Sequence, residues 1–346
     1  MKALTEMAAY RADVERAAAE PLPWERLAGK IIVITGGTGL IGSFVVDVLL
    51  KAVPSAKITL LGRNAARAEE RFGKRVAFER WDAFSGVAPA LEGPADFILH
   101  LASNTHPRAY ATSPIGTIAA NVIATNSLLA LAADKRATRF LFASSNEIYG
   151  ENRGDAELFD ESYCGYIDCN TLRAGYPESK RCGEALCQAY IAERGLDCVV
   201  ARLTRTFGPT VLKTDSKASS QFFANALRGE DIVLKSEGRQ FYSFLHVADS
   251  ATGLLYTLLK GECGQAYNIA DTSCDTTLRE LAAMIAQCAG RSVVFDLPDK
   301  VELAGFSKAT KARLDGSRLR SLGWKAHYSI REAVQATYAL LKEAEM

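Results

Sequence analysis

The sequence predicts an α/β fold, a doubly wound parallel sheet followed by a smaller C-terminal lobe. Three observations predict it. Between residue 30 and about residue 205, short apolar runs alternate with stretches of helical apolar spacing. The first run ends in a glycine-rich turn that leads into a helix. Beyond residue 205 the rhythm loosens into turn-rich, polar sequence and amphipathic helices. Strand and helix in alternation require parallel pairing, and right-handed crossovers then wind the helices over both faces.

Taken in order, residues 1–28 read as a helical extension ended by the breaker "PLPWERLAGK". It docks on the body or on a second subunit, or else is a partly frayed terminal helix. "KIIVITGG" is a buried parallel strand, and "LIGSFVVDVLLKA" carries apolar residues at helical spacing. "KITLLGRN", "RVAFERWD" and "ADFILHLAS" are the second to fourth strands. "IATNSLLALAADK" is a helix, "TRFLFASS" a fifth strand, 179–193 a helix and "LDCVVARL" a sixth strand. "SQFFANALRGEDIVL" is a helix and a strand, and "TLRELAAMIAQCAG" and "IREAVQATYALLKEA" are amphipathic helices. The predicted organisation is an extension over 1–28, a dinucleotide-binding domain over 29–205, and a lobe over 206–346 that covers the substrate, with some segments returning to the first domain.

The chain has 346 residues, 48% hydrophobic and 23% charged, with a net charge of +1. That balance argues against nucleic acid or an anionic membrane as the main partner. No run approaches transmembrane length. Eight cysteines and four histidines show no zinc-site spacing, so no metal is expected and reduced thiols in the cytoplasm are.

"TGGTGLIGS" sets Gly36, Gly39 and Gly42 three apart, between a strand and a helix, with Leu40 and Ile41 opening the helix. Glycines there let the backbone approach a pyrophosphate while the helix N-terminus faces its charge. The second strand ends "LLGRN" with Arg63 and Asn64 and no acid. An acid there would bond the ribose 2′-hydroxyl of NAD, and an arginine accommodates a 2′-phosphate, so the pattern leans towards NADP. The alternative is a solvated Arg63 with NAD held by other contacts. Asp82, ending the third strand, is placed to bond the adenine amino group or to cap the next segment.

Tyr176 and Lys180 in "YPESK" lie four apart, hence on one helix face. Pro177 and Glu178 suit a first helical turn, so an ordinary helix start explains the stretch equally well. The two readings separate only in context. "TGGTGLIG", "HLAS" at 100–103, "SSNEIYG" at 144–150, "YPESK", "ARLTRTFGP" at 201–209, "FLHVADS" at 244–250, "AYNIAD" at 266–271 and "LGW" at 322–324 occur in a fixed order. Over residues 30–340 the chain resembles the extended short-chain dehydrogenase/reductase family, and within it the nucleotide-sugar epimerases, 4,6-dehydratases and decarboxylases.

The resemblance implies a Rossmann-type domain and a tightly bound NAD(P), held by the glycine loop, by Leu101, Ala102 and Ser103, and by Tyr176 and Lys180. It implies Tyr176 as catalytic base, Lys180 as the group that holds the nicotinamide ribose and lowers the tyrosine pKa, and Ser145 as the residue sharing the substrate proton. A free phenol, with a pKa of about 10, is a poor base at pH 7, so a nearby ammonium is what the chemistry needs. Glu147 maps onto the second base that takes the C5 proton in dehydratases. Its neighbour Asn146 is no acid, so loss of water would need another donor. Glu147 as a cap or structural partner is the alternative.

"HLASNTHPRAYATSPIGT" is nearest to the decarboxylase branch. Those enzymes carry an arginine where this chain has Tyr242, and the family's usual asparagine is Arg205 here. Ser144, Arg205, Lys217, Arg239, Tyr242 and Arg313 form the pool for the substrate and its anions; each of the cations among them could equally be a surface charge. The expected activity is oxidation of a nucleotide-sugar at C4, chemistry on the ketone, and return of the hydride. An NADPH-dependent reductase and a catalytically silent dinucleotide sensor are the alternatives. A homodimer is what the resemblance implies.

Overall fold

The computed structural model describes residues 3–85, 87–104, 110, 112–296 and 310–345. Its main sheet has seven strands: β1 (Ile31–Thr35), β2 (Lys57–Gly62), β3 (Ala77–Arg80), β4 (Phe97–His100), β5 (Arg139–Ser145), β6 (Cys198–Leu203) and β10 (Ala266–Ile269). The spatial order is β10-β6-β5-β4-β1-β2-β3 and every pair is parallel. The predicted doubly wound sheet is therefore present, with all six predicted strands in it. The seventh, β10, lies in "AYNIAD", where the sequence suggested only a motif. Apolar and β-branched residues on both faces of β1 and β5 are buried, as strands covered on two sides require.

The helices are α1 (Ala8–Ala18), α2 (Leu40–Ala52), α3 (Ala65–Phe72), α4 (Pro114–Asp134), α5 (Gly175–Arg194), α6 (Ala218–Leu227), α7 (Val247–Lys260), α8 (Leu278–Ala289), α9 (Ser317–Ser321) and α10 (Ile330–Glu345). α5 starts four residues before the predicted 179. Tyr176 thus sits inside its first turn, and Pro177 stands where the missing N–H has no intrahelical partner to lose. α7 was not predicted; it is buried along almost its whole length beneath the sheet.

α4 corrects the expectation that no run nears membrane length. It has 21 residues and contains an 18-residue window of mean hydropathy 1.6, enough to cross a bilayer by length and composition. Yet 44% of that window is buried in the body. Ala120, Ala124, Leu128, Leu129 and Ala132 pack with β4 and β5 residues in one core, while Ile115, Ile118 and Ile123 are exposed.

Beyond β6 the chain builds a second layer. β7 (Arg205–Phe207), β11 (Asp275–Thr277) and β13 (Lys311–Ala312) all pair with β9 (Phe241–His246), and β8 (Ile232–Leu234) pairs with β12 (Val293–Phe295). These strands enclose a core of their own around Phe207, Phe222, Phe223 and Phe244.

The N-terminal segment lies on the body of its own chain. Met7 is fully buried, and the Tyr10 ring meets Phe44 edge-on at 5.5 Å. The Tyr10 hydroxyl donates to Asp47 at 2.7 Å, and Tyr328 donates to Asp13 at 2.6 Å. Tyr256 donates to Glu20 at 2.8 Å.

Candidate active site

A cleft of about 1090 Å³ opens along the C-terminal ends of the main sheet's strands and runs under the second layer. It straddles β1 and β4, where the strand order reverses, which is where open α/β sheets bind ligands.

At one end, Gly36, Gly37, Thr38, Gly39, Leu40, Ile41 and Gly42 form the wall. Gly36 has φ +71°, and a Cβ on it would stand 2.8 Å from Ala102 N. A Cβ on Gly42 would meet the Gly36 carbonyl oxygen at 2.2 Å. These clashes show why side chains are excluded: the loop is folded tightly on itself and on the end of β4. Thr35 Oγ1 accepts from Leu101 N at 3.1 Å and from Ala102 N at 3.0 Å, which pins Leu101, Ala102 and Ser103 beside the loop. A bare glycine backbone facing open space fits the pyrophosphate of a dinucleotide.

Arg63 and Asn64 line the next stretch, joined by Arg67, which the sequence reading missed. The Arg63 guanidinium lies 4.9 Å from the Phe84 ring centroid, and Asn64 caps α3 by accepting from Arg67 N at 3.0 Å. Asp82 does not line the cleft, although its neighbours Trp81 and Ala83 do. Its carboxylate accepts from Phe84 N at 3.0 Å, as the capping alternative expects.

The other end gathers Ser144, Ser145, Asn146, Glu147, Tyr176 and Lys180. β5 supplies the two serines, the 3-10 turn Asn146–Tyr149 supplies Glu147, and α5 supplies Tyr176 and Lys180. Ser145 Oγ caps that turn by accepting from Glu147 N at 3.2 Å. Ser144 faces a different network, donating to Glu184 at 2.5 Å, and Glu184 in turn pairs with Arg202 at 2.7 Å.

Burial pushes the Tyr176 phenol well above its ordinary value, and the Glu147 carboxylate pushes it further; a hydrogen bond with Ser145 and the charge of Arg173 pull it back. Lys180 donates to the Ala143 carbonyl at 2.7 Å and lies 4.7 Å from the Phe142 ring centroid. Burial brings its pKa down to about 7, opposed chiefly by Glu184. In the protein alone, the Ser145 hydrogen bond and the Arg173 charge are the groups that pull the tyrosine down.

Three residues that the sequence reading did not single out complete this end: Tyr110, Arg173 and Thr204. Tyr110 stacks on Tyr176 with ring centroids 4.8 Å apart. Arg173 forms an ion pair with Glu147 and lies 4.9 Å from the Tyr110 ring centroid. Its position three residues before Tyr176 was the one signal available. Arg205 lies with its guanidinium carbon 3.5 Å from the Tyr242 ring centroid. Lys217 lines the cleft and pairs with Asp215 at 3.1 Å.

Two members of the anion pool are corrected. Arg239 is exposed and pairs with Glu237 at 2.7 Å, outside the cleft wall. Arg313 is spent on Asp275 at 2.7 Å and also lies outside it. Residues 105–109 and 111 of the segment read as nearest to the decarboxylases lie outside the described residues. Among the described residues no cluster of metal-ligating side chains occurs.

The sequence profile of the NAD dependent epimerase/dehydratase family matches residues 32–270. UDP-glucuronic acid decarboxylase 1 of Danio rerio is 31% identical over 272 residues, 78% of this chain and 63% of that protein. The Xenopus tropicalis protein of the same name is 30% identical over 75% of this chain and 61% of its own length. The chain thus spans under two thirds of these vertebrate relatives. UDP-glucuronic acid decarboxylase 3 of Arabidopsis thaliana is 30% identical over 88% of this chain and 86% of its own.

Among solved structures, a dTDP-glucose 4,6-dehydratase of Streptomyces venezuelae with NAD bound superposes with a TM-score of 0.76 at 26% identity. That match covers 90% of this chain and 97% of the other. A UDP-glucose 4-epimerase of Thermotoga maritima, with UDP-glucose, gives a TM-score of 0.79 over 91% and 100%. At 22% identity that second likeness concerns the fold.

Proposed function

The chain belongs to the NAD-dependent epimerase/dehydratase family, and we propose that it oxidises a nucleotide-linked sugar at C4, acts on the resulting ketone, and restores the hydride. The observation that carries this reading is the meeting of Tyr176, Ser145, Lys180 and Glu147 at one end of a cleft whose other end is the glycine loop. A nicotinamide dinucleotide, when bound along that loop, supplies the hydride acceptor and donor. Arg63 and Arg67, with no acid among the described residues that line that end of the cleft, favour NADP.

In this reading Tyr176 moves the proton of the C4 hydroxyl, with Ser145 sharing it through its hydrogen bond. The stacked Tyr110 keeps water off the phenol. Glu147 exchanges a proton at C5, which the ketone makes acidic, and Arg173 holds its carboxylate in place. Asn146 orients substrate, since an amide cannot serve as an acid. The relatives' names favour a uridine-linked sugar. The exposed Ile115, Ile118 and Ile123 of α4 suit self-association, which supports a homodimer.

A second reading, net reduction of a keto-sugar by NADPH, draws on the two arginines at the adenosine end. The test is incubation of the purified protein with nucleotide-sugars in deuterated water, followed by mass spectrometry and absorbance at 340 nm. Deuterium at C5 with no net NADPH oxidation is expected. Stoichiometric consumption of added NADPH without exchange would overturn the first reading in favour of the second.

A further inference from the structure

We infer that Arg173 and Arg205 form an anion subsite for a carboxylate on the sugar, so that the substrate is a nucleotide-linked uronic acid; this rests on the nucleotide-sugar reading above. The subsite is visible as an imbalance of donors and of charge. Arg173 gives Nη2 to Glu147, but its Nη1 is buried and has no hydrogen-bond partner among the described residues. Arg205 Nη1 is buried and unpartnered in the same way. Buried guanidinium N–H groups are almost always paired. Two orphaned donors lining one end of a cleft point to an acceptor that arrives with the ligand.

The charges point the same way. Two guanidinium groups and one carboxylate, Glu147, leave this end with an excess positive charge even before Lys180 is counted. Tyr110, Tyr176 and Tyr242 surround it as phenols that burial keeps neutral. Burial lowers the pKa of Arg205 and neighbouring Arg173 lowers it further, against the pull of Tyr242 and Glu147. A neutral hydroxyl would satisfy the donors and leave the charge; a carboxylate satisfies both, and its planar pair of oxygens matches a guanidinium fork.

The backbone places the group. Arg205 pairs with Phe244 across β7 and β9, so its side chain shares a face with that of Tyr242, two residues along. Arg173 lies three residues before Tyr176 and holds Glu147. An anion between the two arginines therefore lies beside the sugar carbon on which these residues act. The nucleotide's own diphosphate is the other source of negative charge, and the experiment separates the two.

Calorimetric dissociation constants would be measured for UDP-glucuronate, UDP-glucose and UDP, on the full-length protein with its dinucleotide, for wild type, Arg205→Gln and Arg173→Gln. UDP-glucuronate is expected to bind at least tenfold more tightly than UDP-glucose. Arg205→Gln is expected to erase that difference while leaving UDP-glucose and UDP within about twofold, which also shows that the variant is folded. Equal affinity for the two sugars in the wild type overturns the carboxylate subsite and leaves the nucleotide-sugar reading standing. A parallel loss for all three ligands in Arg205→Gln assigns the arginine to the diphosphate and overturns it as well. If no uridine nucleotide binds, the underlying reading falls and the subsite with it.

Discussion

Lys180→Met tests the electrostatics of the site most directly. Lys180 is 2% exposed, and burial takes the pKa of its amine from 10.5 to about 7. In the unfolded chain the same amine keeps its proton to about pH 10.4. Between pH 7 and 10 the unfolded state therefore binds more protons than the folded one, and stability rises with pH across that window. Below pH 7 both states are protonated and the penalty of the buried charge is present in full. The shift corresponds to about 5 kcal/mol, of which about 2 kcal/mol is recovered between pH 7 and 9. Methionine keeps an apolar stem and removes the titration. Urea unfolding of cofactor-free wild type and variant at pH 6, 7, 8 and 9, taken as a difference, cancels the other titrating groups. The wild type is expected to gain about 2 kcal/mol on the variant from pH 7 to 9, and little from pH 6 to 7. A difference that stays level from pH 6 to 9 would show that the amine keeps its ordinary value when folded, and would refute the argument from burial.

Three further outcomes are expected. Gly42→Ala drives a methyl into the Gly36 carbonyl, 2.2 Å away; it should destabilise by about 1–3 kcal/mol and abolish dinucleotide binding, read by thermal melting and calorimetry, and unchanged binding would contradict the loop's role. Tyr176→Phe should keep the fold and lower turnover about 10²- to 10⁴-fold; full turnover would remove Tyr176 from the mechanism. Met7→Ala empties a fully buried position and should cost about 2–5 kcal/mol in chemical denaturation. A cost near zero would mean that α1 contributes nothing to the cooperative unit.

The six predicted strands were legible because each is a short run of apolar and β-branched residues flanked by breakers, and local chemistry of that kind survives folding. β10 was missed because "AYNIAD" carries a buried Asn268 that reads as polar; its side chain accepts from Tyr149 and donates to the Phe159 and Asp315 carbonyls, partners available only in three dimensions. The strands of the second layer are two to six residues long, too short for a period to show. Among the cations, Arg205 and Arg239 looked alike in sequence. One lies over Tyr242 inside the cleft and the other pairs with Glu237 in solvent.

Residue chemistry along the chain was sufficient for the parallel sheet, the glycine loop and the face shared by Tyr176 and Lys180, since each depends on neighbours within a few positions. Packing decided the rest. It buried Lys180 against Phe142 and Ala143, so that its charge is strained rather than freely available. It also laid Tyr110 on Tyr176 and brought Arg173 and Arg205, 32 positions apart in the chain, to one end of the cleft. Burial and long-range charge are properties of the space around a side chain. That space exists only once β7 and β9 have closed over the ends of the sheet.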